Sequence, residues 1–411
     1  MAALMPAGGD ADVAVIGAGV VGLGTAWALA RRGVRVLLLE RANGPALGAS
    51  FANGAQLSYA YTDAMAGPAL WKQLPGMLAG GDAAFRVRAS LDPHFWAWGL
   101  ALLRNATAAR LQRNTLATLA LALESKAAMD ALLARHPIDF QHRVAGKLHV
   151  YYDASALPKA RAMIDTKRSF GVRQQLLSPA EAIAAEPALA DARGMVGAVH
   201  SPDEEAGDPW RFCSGLLQIL QAQYGMQARF GFDLQRAQRE GAHWRLHAAS
   251  GDSVRVGKVA VCAGIDSHAL LRTLGLASPL MAIKGYSFTA PCGTHAPTAS
   301  ITDTARKLVF CRLGERIRVA GLADLNHWDP KPDPARMQQL IALARASLPE
   351  AADYDRIESR WAGLRPATPP SSPVIRQPRD GLVLNIGHGM LGWTLAMGSG
   401  ERAADLLLDA A

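Results

Sequence analysis

The feature that most constrains the fold of this chain is a glycine-rich turn, GAGVVG, at residues 17–22. It stands between a predicted strand over residues 12–16 and a predicted helix over residues 20–31, which Gly33 caps before a second strand over residues 34–39. A GxGxxG turn in this strand-to-helix context is typical of a dinucleotide-binding β-α-β unit. The sequence therefore predicts that the chain opens with a nucleotide-binding fold.

Each glycine of this turn has a separate physical reason. Gly17 permits the tight turn, Gly19 lets a pyrophosphate approach the backbone, and Gly22 lets the helix pack closely on the strand. The N-terminus of the helix then faces the phosphates. Glu40 ends the second strand 23 residues after Gly17, near the spacing of about 20 residues expected for a carboxylate that binds the ribose hydroxyls. A glutamate here argues against a 2′-phosphate but does not distinguish NAD from FAD.

The rest of the chain predicts a second, strand-rich region. Residues 94–135 have helical spacing and indicate a helical cover. Short strands begin near residue 146, a helix is predicted over residues 209–224, and the runs after residue 283 have the spacing of an antiparallel sheet. Helical periodicity returns over residues 333–347, and a final helix returns to the first unit, so the nucleotide domain is predicted to be discontinuous. A chain of 411 residues, half of them apolar, suits two interleaved domains.

Charge and cysteine spacing argue against several classes of protein. The net charge is +8, but the basic residues are scattered, so nucleic acid is not an expected partner. Cys213, Cys262, Cys292 and Cys311 lie far apart and form no CxxC pair, which predicts no metal site, no disulfide framework and a cytoplasmic location. The start of the chain lacks the pattern of a secretory signal, and no apolar run reaches the ~18 residues that cross a bilayer.

Further motifs identify a family. The segment LLLERANGPALGASFANGAQLS resembles the FAD-proximal stretch of the D-amino acid oxidase superfamily, which includes glycine and sarcosine oxidases. The pieces HSPDEEAGDPWRF, ERIRVAGLADL, RWAGLRPATPPSSPVI and NIGHGMLGWTLAMGSG occur in an order similar to that of bacterial D-amino acid dehydrogenases. The resemblance covers nearly the whole chain.

This resemblance implies an α/β protein with a Rossmann-type FAD-binding domain and a second α+β substrate domain built on a mostly antiparallel sheet. The FAD-binding domain would comprise residues 1–58, 198–275 and 361–411. The substrate-binding domain would comprise residues 59–197 and 276–360. Both predicted domains are thus assembled from separated stretches of the chain.

The resemblance also implies which residues hold FAD. The last glycine-rich segment would run along the flavin ring, where the N–H groups that open a helix near Thr394 can stabilise negative charge on the reduced flavin. Cys262 would contribute backbone contact only, and Arg41 would lie near the adenosine end. Because the early loop has Phe51 and Ala52 and RPATPPSSPVI has no cysteine, noncovalent FAD is expected. The predicted cofactor contacts are Gly17, Ala18, Gly19, Val20, Val21, Gly22, Glu40, Arg41, Ser50, Asn53, Gly54, Ala55, Gln56, Cys262, Ala263, Gly264, Gly387, His388, Gly389, Met390, Leu391, Gly392, Trp393 and Thr394.

Three residues are candidates for the substrate site. Arg365 stands in GLRP, and the resemblance implies that it binds the substrate carboxylate so that the Cα–H points at flavin N5. Tyr286 is predicted to border the pocket, and His388 to polarise the substrate or the flavin. The implied reaction is oxidative deamination of a D-amino acid to a 2-oxo acid and ammonia, by hydride transfer from the α-carbon to flavin N5.

The family match favours a dehydrogenase that passes electrons to a quinone or another respiratory-chain acceptor, which implies peripheral contact with the inner face of the cell membrane. Residues 94–104, HFWAWGLALLR, would then lie on lipid with Trp96 and Trp98 at the interface, or else belong to the core. Two other functions stay open. One is oxidation of a secondary amino acid such as sarcosine, D-proline or hydroxy-D-proline, and the other is nucleotide binding without catalysis.

Overall fold

The structure is a computed structural model that describes residues 10–78 and 82–409. Within these residues, helices and strands alternate, as expected for the mixed α/β class. The strands in chain order are β1 (Ala11–Ile16), β2 (Val36–Glu40), β3 (Gln56–Leu57), β4 (Phe85–Val87), β5 (Arg143–Val144), β6 (Lys147–Tyr151), β7 (Gln175–Leu177), β8 (Gly197–Ser201), β9 (Glu205–Ala206), β10 (Gln227–Phe230), β11 (Leu234–Glu240), β12 (His243–Ala248), β13 (Ser253–Val261), β14 (Met281–Pro291), β15 (Ser300–Asp303), β16 (Leu308–Leu313), β17 (Arg316–Leu325), β18 (Ser359–Ala367), β19 (Val374–Arg379) and β20 (Leu382–Ile386). The α-helices in chain order are α1 (Val20–Ala30), α2 (Ala69–Leu78), α3 (Pro93–Asn105), α4 (Ala108–Arg135), α5 (Leu157–Arg168), α6 (Pro179–Ala185), α7 (Pro209–Tyr224), α8 (Ser267–Thr273), α9 (Pro334–Ser347) and α10 (Gly392–Leu408).

The first sheet has a parallel core in the order β10-β2-β1-β13-β20. β19 pairs antiparallel with β20, and the hairpin β11-β12 pairs with the first half of β13. Side chains of β1 alternate between two apolar layers: Val13 and Val15 pack with α1, α4, α7 and α10, whereas Ala14 and Ile16 pack with α8 and the hairpin. The β-α-β unit predicted from the glycine-rich turn is confirmed.

The second sheet is mostly antiparallel, in the order β18-β14-β17-β16-β15-β6-β8-β7, with β4 added beside β17. α9 covers one face of it. Strands β8 and β18 pair in this sheet, although the predicted boundaries at residues 198 and 361 give most of each to the FAD-binding domain. The division into two domains stays a prediction, and the sheet pairing shifts its edges by a few residues.

The helical cover predicted over residues 94–135 consists of two helices, α3 and α4. α3 ends at Asn105, and α4 begins at Ala108 with the Thr107 side chain accepting a hydrogen bond from the Arg110 N–H at 3.3 Å. α4 packs against α10 on the first sheet, with Leu121 and Ala122 in the same apolar layer as α1. α4 therefore belongs to the layer behind the predicted nucleotide site, whereas α3 packs on the second sheet through Trp98.

Helices α1 and α10 cross at glycines. A Cβ atom added to Gly400 would lie 2.6 Å from the backbone of Gly24, and one added to Gly24 would lie 2.8 Å from the Ala396 carbonyl oxygen. The two backbones therefore touch where any side chain would separate them. This close approach fixes the helix whose N-terminus reaches the site described below.

We expect Gly400→Ala to lower the free energy of unfolding by about 1–3 kcal/mol, because the added methyl group meets backbone that has no room to move. Urea denaturation of the purified variant measures this change. Gly99→Ala in α3 is the matched control, since nothing lies within 4 Å of its added Cβ, and it should gain about 0.5–1 kcal/mol from helix propensity. Equal stability of the two variants would contradict the close crossing.

Candidate active site

The carboxyl ends of β1, β2, β13 and β20 meet at one edge of the first sheet and face a cavity of about 1360 Å³ that reaches the second sheet. Ligands of open parallel sheets bind at such an edge. The volume exceeds the roughly 300–1,000 Å³ of most small-molecule pockets and suits a dinucleotide with a small substrate. The predicted residues that line it are Gly17, Gly19, Val20, Val21, Glu40, Arg41, Ser50, Asn53, Gly54, Gln56, Cys262, Ala263, Gly264, Tyr286, Arg365, His388, Gly389, Met390, Leu391, Gly392, Trp393 and Thr394. Four predicted contacts, Ala18, Gly22, Ala55 and Gly387, do not line it.

The glycine-rich turn has the geometry that a pyrophosphate site needs. Gly17 has a φ of +103°, a conformation that L side chains rarely adopt. Gly22 packs so closely that an added Cβ would lie 1.8 Å from the Gly17 carbonyl oxygen. Gly19 differs from both, because its added Cβ would meet only the Ser50 hydroxyl, at 3.3 Å. Space in front of Gly19 is therefore left to the cavity.

Glu40 is positioned by the backbone of the same turn. Its Oε2 accepts a hydrogen bond from the Ala18 N–H at 2.7 Å, and its Oε1 accepts one from the Ala42 N–H at 2.9 Å. Each carboxylate oxygen can accept further bonds, so the group can also bind ribose hydroxyls. Arg41 lines the cavity beside it and forms a 2.9 Å ion pair with Asp266. The adenosine site predicted at Glu40 and Arg41 stays a prediction at this end of the cavity.

Two predicted cofactor residues shape turns behind the cavity wall. Ala55 has a φ of +57°, and its N–H donates to Asn53 Oδ1 at 3.0 Å. Gly387 has a φ of +82°, and an added Cβ would lie 2.4 Å from Thr368 Cγ2. Both residues shape the turns of these two loops, and their direct contact with FAD stays a prediction.

Buried polar groups fix the walls between the two ends. Ser50 Oγ accepts a hydrogen bond from the Val20 N–H at 3.2 Å, which ties the early loop to the start of α1. The Cys262 thiol donates to Thr25 Oγ1 at 3.5 Å, and burial raises its pKa to about 12. A thiol held in this protonated state is a poor nucleophile, in agreement with the assignment of Cys262 to backbone contact.

The first turn of α10 points into the cavity. Gly392, Trp393 and Thr394 line it, and no side chain of the described residues caps this helix end. The unpaired N–H groups and the helix dipole therefore make this part of the wall electropositive. Negative charge on a ligand is stabilised here.

His388 is buried as a neutral ring. Its Nε2 lies 3.0 Å from Ser399 Oγ, and Ser399 donates its own hydrogen to the Ala396 carbonyl, so His388 Nε2 is the donor of the pair. Burial lowers the pKa of His388 to about 3. The ring can therefore polarise a ligand only as a neutral group near neutral pH.

This depressed pKa predicts acid sensitivity of the fold. The unfolded chain binds a proton at His388 with a pKa of about 6.5, whereas the folded chain resists it down to about 3, so stability is lost as the pH falls through this window. We expect the free energy of unfolding of the wild type to fall by about 2 kcal/mol between about pH 7 and about pH 5 because of His388. This part of the pH dependence should be absent from His388→Asn. Denaturant titrations at both pH values measure it, with His247→Asn on the hairpin as control. An unchanged pH dependence would contradict the assignment.

Arg365 is an unpaired cation in the cavity wall. Its Nη1 donates to the Leu322 carbonyl at 3.3 Å, and it forms no ion pair with a carboxylate of the residues that the structure describes. Asp324, the carboxylate whose charge acts on it, pairs instead with Arg336 at 2.5 Å. Burial lowers the pKa of the Arg365 guanidinium, because the charge lies away from water. A ligand carboxylate would form the ion pair with Arg365 that the described carboxylates do not form.

The backbone of two residues, Gly285 and Leu322, lies against the Arg365 guanidinium. Gly285 lies directly beneath it, since an added Cβ would come within 2.2 Å of Arg365 Nη2. Leu322 has a φ of +56° at a bulge where β14 and β17 shift register, and its carbonyl is the one that accepts from Arg365. Neither residue was predicted. The glycine inside the strand IKGYSFTA was the available signal, since such a glycine often marks a close approach.

The Tyr286 side chain lies on the other face of the second sheet. Ile283 pairs directly with Arg365 and shares its face, so alternation along β14 turns Tyr286 toward α9. Its hydroxyl donates to Asp324 at 2.7 Å. Tyr286 borders the cavity, but its hydroxyl is engaged with Asp324 and supports the sheet beneath Arg365.

The two tryptophans of α3 have different environments. Trp98 is buried, lines the cavity, and its indole N–H donates to the Pro279 carbonyl at 3.1 Å. Trp96 is 61% exposed. Of the two alternatives given for this segment, Trp98 therefore follows the core and not the lipid interface, because residues two apart lie on different sides of a helix. Of the two rings, Trp96 is the one exposed to solvent.

Comparison with known proteins identifies the family. The model of the DAO family, described as FAD dependent oxidoreductase, matches residues 12–406. The chain belongs to this family. Its cofactor is therefore FAD rather than NAD, which Glu40 alone left open.

Family members with related sequences carry specific names. A protein named D-amino acid dehydrogenase 2 from Ralstonia nicotianae is 43% identical over 408 residues, which cover 96% of each chain. A D-amino acid dehydrogenase from Paramagnetospirillum magneticum is 40% identical over 400 residues, covering 96% of this chain and 94% of its own. The family resemblance stated from motifs is confirmed over nearly the full length.

Solved structures of the family share the fold. Glycine oxidase from Geobacillus kaustophilus superimposes with a TM-score of 0.75 at 20% identity, covering 97% of this chain and 94% of its own. L-proline dehydrogenase from P. horikoshii has the same TM-score at 16% identity, covering 97% and 93%. These matches confirm the predicted fold class.

The described residues contain neither a membrane-spanning helix nor a cluster of metal ligands. No helix within residues 10–78 and 82–409 is both long enough and apolar enough to cross a membrane. In the same part of the chain, no three histidine, cysteine, aspartate or glutamate side chains gather as metal ligands would. The cavity is thus the site on which a functional argument rests.

Proposed function

We propose that this chain oxidises D-amino acids at the α-carbon and passes the electrons through FAD to an acceptor such as a quinone. The observation that carries the proposal is the Arg365 guanidinium, which faces the cavity without a carboxylate partner among the described residues. An amino acid brings a carboxylate, and a bidentate arginine would hold it in a defined orientation. The names of the related dehydrogenases support the choice of substrate.

The residues of the cavity fit FAD. Gly19 leaves room for a pyrophosphate at the N-terminus of α1, and Glu40 offers carboxylate oxygens to the ribose. The electropositive first turn of α10 suits the flavin end. When bound, FAD supplies the group that accepts a hydride from the substrate. No cysteine of the early loop is available for covalent attachment, so we propose that FAD is held noncovalently.

The chain's own residues would then bind and orient the substrate. Arg365 fixes the carboxylate, and Gly285 keeps the guanidinium close to the strand. The bulge at Leu322 supplies a carbonyl that holds Nη1 and leaves the other nitrogens of the fork free for the ligand. His388 remains neutral and adds no competing charge. The proposed task of the protein is orientation in a site shielded from water.

The surroundings of Arg365 suggest a neutral substrate side chain. Ile283 and Leu325 lie beside it in the sheet, and Trp98 belongs to the same apolar cluster. The charged pair Asp82 and Lys307 also lines the cavity, but the two side chains bond to each other. Beside Arg365, a charged substrate side chain would lose its hydration without gaining a free partner from these residues.

A substrate profile tests this proposal. We expect kcat/KM for D-alanine and D-phenylalanine, measured with an artificial electron acceptor, to exceed that for D-glutamate and D-lysine by at least about tenfold. L-alanine is the stereochemical control and should give no turnover. A preference for D-proline over every primary D-amino acid would instead support the secondary amino acid oxidation considered above. Turnover of L-alanine would contradict the proposed handedness.

We further propose peripheral membrane contact through the region from α2 to α4, as a quinone acceptor requires. Trp71, Leu91, Trp96 and Leu100 are exposed apolar side chains of this region. Residues 69–113 carry six basic and two acidic side chains. An apolar surface with a basic surround favours an anionic lipid surface.

Vesicle sedimentation tests the membrane proposal. We expect the wild type to bind vesicles of anionic phospholipid, and Trp96→Ser with Leu100→Ser to weaken this binding by about tenfold because buried apolar area is lost. Trp210→Ser is the control, since Trp210 is an exposed tryptophan on α7. Failure of the wild type to bind anionic vesicles, or equal weakening by the control, would contradict the proposal.

A further inference from the structure

A second buried cation lines the cavity, and it has no role in the proposed substrate site. Lys147, on β6, is 3% exposed, and its Nζ donates to Ser58 Oγ at 2.8 Å. The Tyr61 ring lies 4.8 Å from the same nitrogen. A buried ammonium group normally has a carboxylate partner, because burial of an unpaired charge is unfavourable.

The neighbouring buried lysine shows the usual arrangement. Lys167 is 2% exposed, forms a 2.7 Å ion pair with Asp63 and donates to the Ala60 carbonyl, and it does not line the cavity. Lys147 forms no such ion pair with the described carboxylates, although the charge of Glu204 acts on it. Burial lowers the pKa of Lys147, and the charge of Glu204 opposes this shift. The charge of Lys147 is therefore directed at the cavity.

Lys147 is connected to the N-terminus of α10. Ser58 accepts from Lys147 through its hydroxyl and donates its N–H to Thr394 Oγ1 at 2.9 Å. Thr394 lies in the uncapped first turn of α10, whose N–H groups face the same cavity. Two independent sources of positive potential therefore meet on one part of the wall.

The ligand in this part of the cavity gains negative charge during the reaction. A hydride carries two electrons and one proton, so the FAD that accepts it gains one negative charge. Ser58, Lys147 and Thr394 line the same cavity as Gly19 and Arg365, so with the pyrophosphate at Gly19 and the substrate at Arg365 these three residues would face the isoalloxazine ring. A fixed cation in a dry wall stabilises such a charge more than it would in water.

We propose that the positive charge of Lys147, together with the first turn of α10, stabilises the reduced form of FAD and so raises its reduction potential. Glu204, whose Oε1 accepts a hydrogen bond from the Ala60 N–H, is the carboxylate whose charge acts on Lys147. The inference rests on FAD binding and not on the choice of amino acid. It can therefore fail or hold independently of the proposed substrate.

Sulfite binding to the FAD-loaded protein tests the inference without any amino acid. Sulfite adds to oxidised flavin and leaves negative charge on the ring, so its affinity reports the same electrostatic effect. We expect Lys147→Met to weaken sulfite binding by about tenfold and to lower the two-electron potential, measured against a reference dye, by the equivalent of about 30 mV. FAD should remain bound, since Lys147 is not needed for the pyrophosphate site.

Lys167→Met is the matched control, because it removes an equally buried lysine from the same region without removing a charge from the cavity wall. It should leave both the sulfite affinity and the potential unchanged. If Lys147→Met does not fold, the double variant Lys147→Met with Glu204→Gln replaces it, because it keeps the net charge of the protein. A weakened sulfite affinity is expected in this variant too. Wild-type sulfite affinity and potential in the Lys147 variants, or equal shifts in the Lys167 control, would overturn the inference.

Discussion

Replacing Arg365 with alanine is expected to lower kcat/KM for a D-amino acid by at least about 30-fold, which corresponds to about 2 kcal/mol of transition-state binding. The reason is the loss of a charged hydrogen-bond donor that faces the cavity with no carboxylate partner among the described residues. FAD content and thermal stability should stay near wild type, because the guanidinium makes one long hydrogen bond inside the protein. Steady-state kinetics with an artificial acceptor, together with the visible absorbance of bound FAD, measure both quantities.

Arg360→Ala is the matched control, because Arg360 is an exposed arginine on the same strand, β18. It should leave kcat/KM unchanged. Gly285→Ala gives an independent test, since the added methyl group must push the guanidinium aside, and we expect a loss of kcat/KM with the arginine still present. Unchanged kcat/KM in Arg365→Ala would remove this residue from the substrate site.

The second large effect is expected at Gly19. Gly19→Val should weaken FAD binding by at least about 100-fold, because the side chain would occupy the space through which the pyrophosphate approaches the backbone. The apoprotein should still fold, since an added Cβ meets only the Ser50 hydroxyl, at 3.3 Å. Fluorescence titration with FAD and circular dichroism of the apoprotein separate the two outcomes.

Gly22 provides the contrast within the same turn. Its added Cβ would lie 1.8 Å from the Gly17 carbonyl oxygen, so Gly22→Ala should disrupt the packing of α1 on β1 and lower stability rather than affinity alone. If Gly19→Val binds FAD normally, or if Gly22→Ala is as stable as the wild type, the assigned roles of the two glycines are wrong.

The opening β-α-β unit of the first sheet was predictable because its signals are local. Strand, turn, helix and acid follow one another within residues 12–40, and each step depends on neighbours in sequence. The break at Ala106 and Thr107 was missed because apolar periodicity continues on both sides of it. The start of α4 could have been read from Thr107, which is a good N-cap residue.

The substrate end depended on contacts between distant strands. That Ile283 shares a face with Arg365 while Tyr286 does not follows from the register of β14 against β18, which periodicity within one strand cannot supply. The bulge at Leu322 and the burial of Trp98 have the same origin. Arg365 itself was found through the GLRP motif and family resemblance, and the carboxylate-binding role given to it remains a proposal.

Lys147 had no signal in the sequence. A lysine at the start of a short strand, GKLHVYY, is ordinarily a solvent-exposed residue. Only the parallel pairing of β6 with β15 and the return of residues 56–58 past it place the ammonium group inside the cavity wall. Buried charges of this kind are evident only once the sheet is assembled.

The measurement that tests the central claim most directly is an anaerobic absorbance titration of the FAD-loaded protein with D-alanine and, separately, with L-alanine. We expect D-alanine to bleach the visible flavin band and L-alanine to leave it unchanged. The Arg365→Ala variant should need far more D-alanine for the same bleaching. A flavin that stays oxidised with every D-amino acid tried, while FAD remains bound, would contradict the proposed reaction and leave only the FAD site.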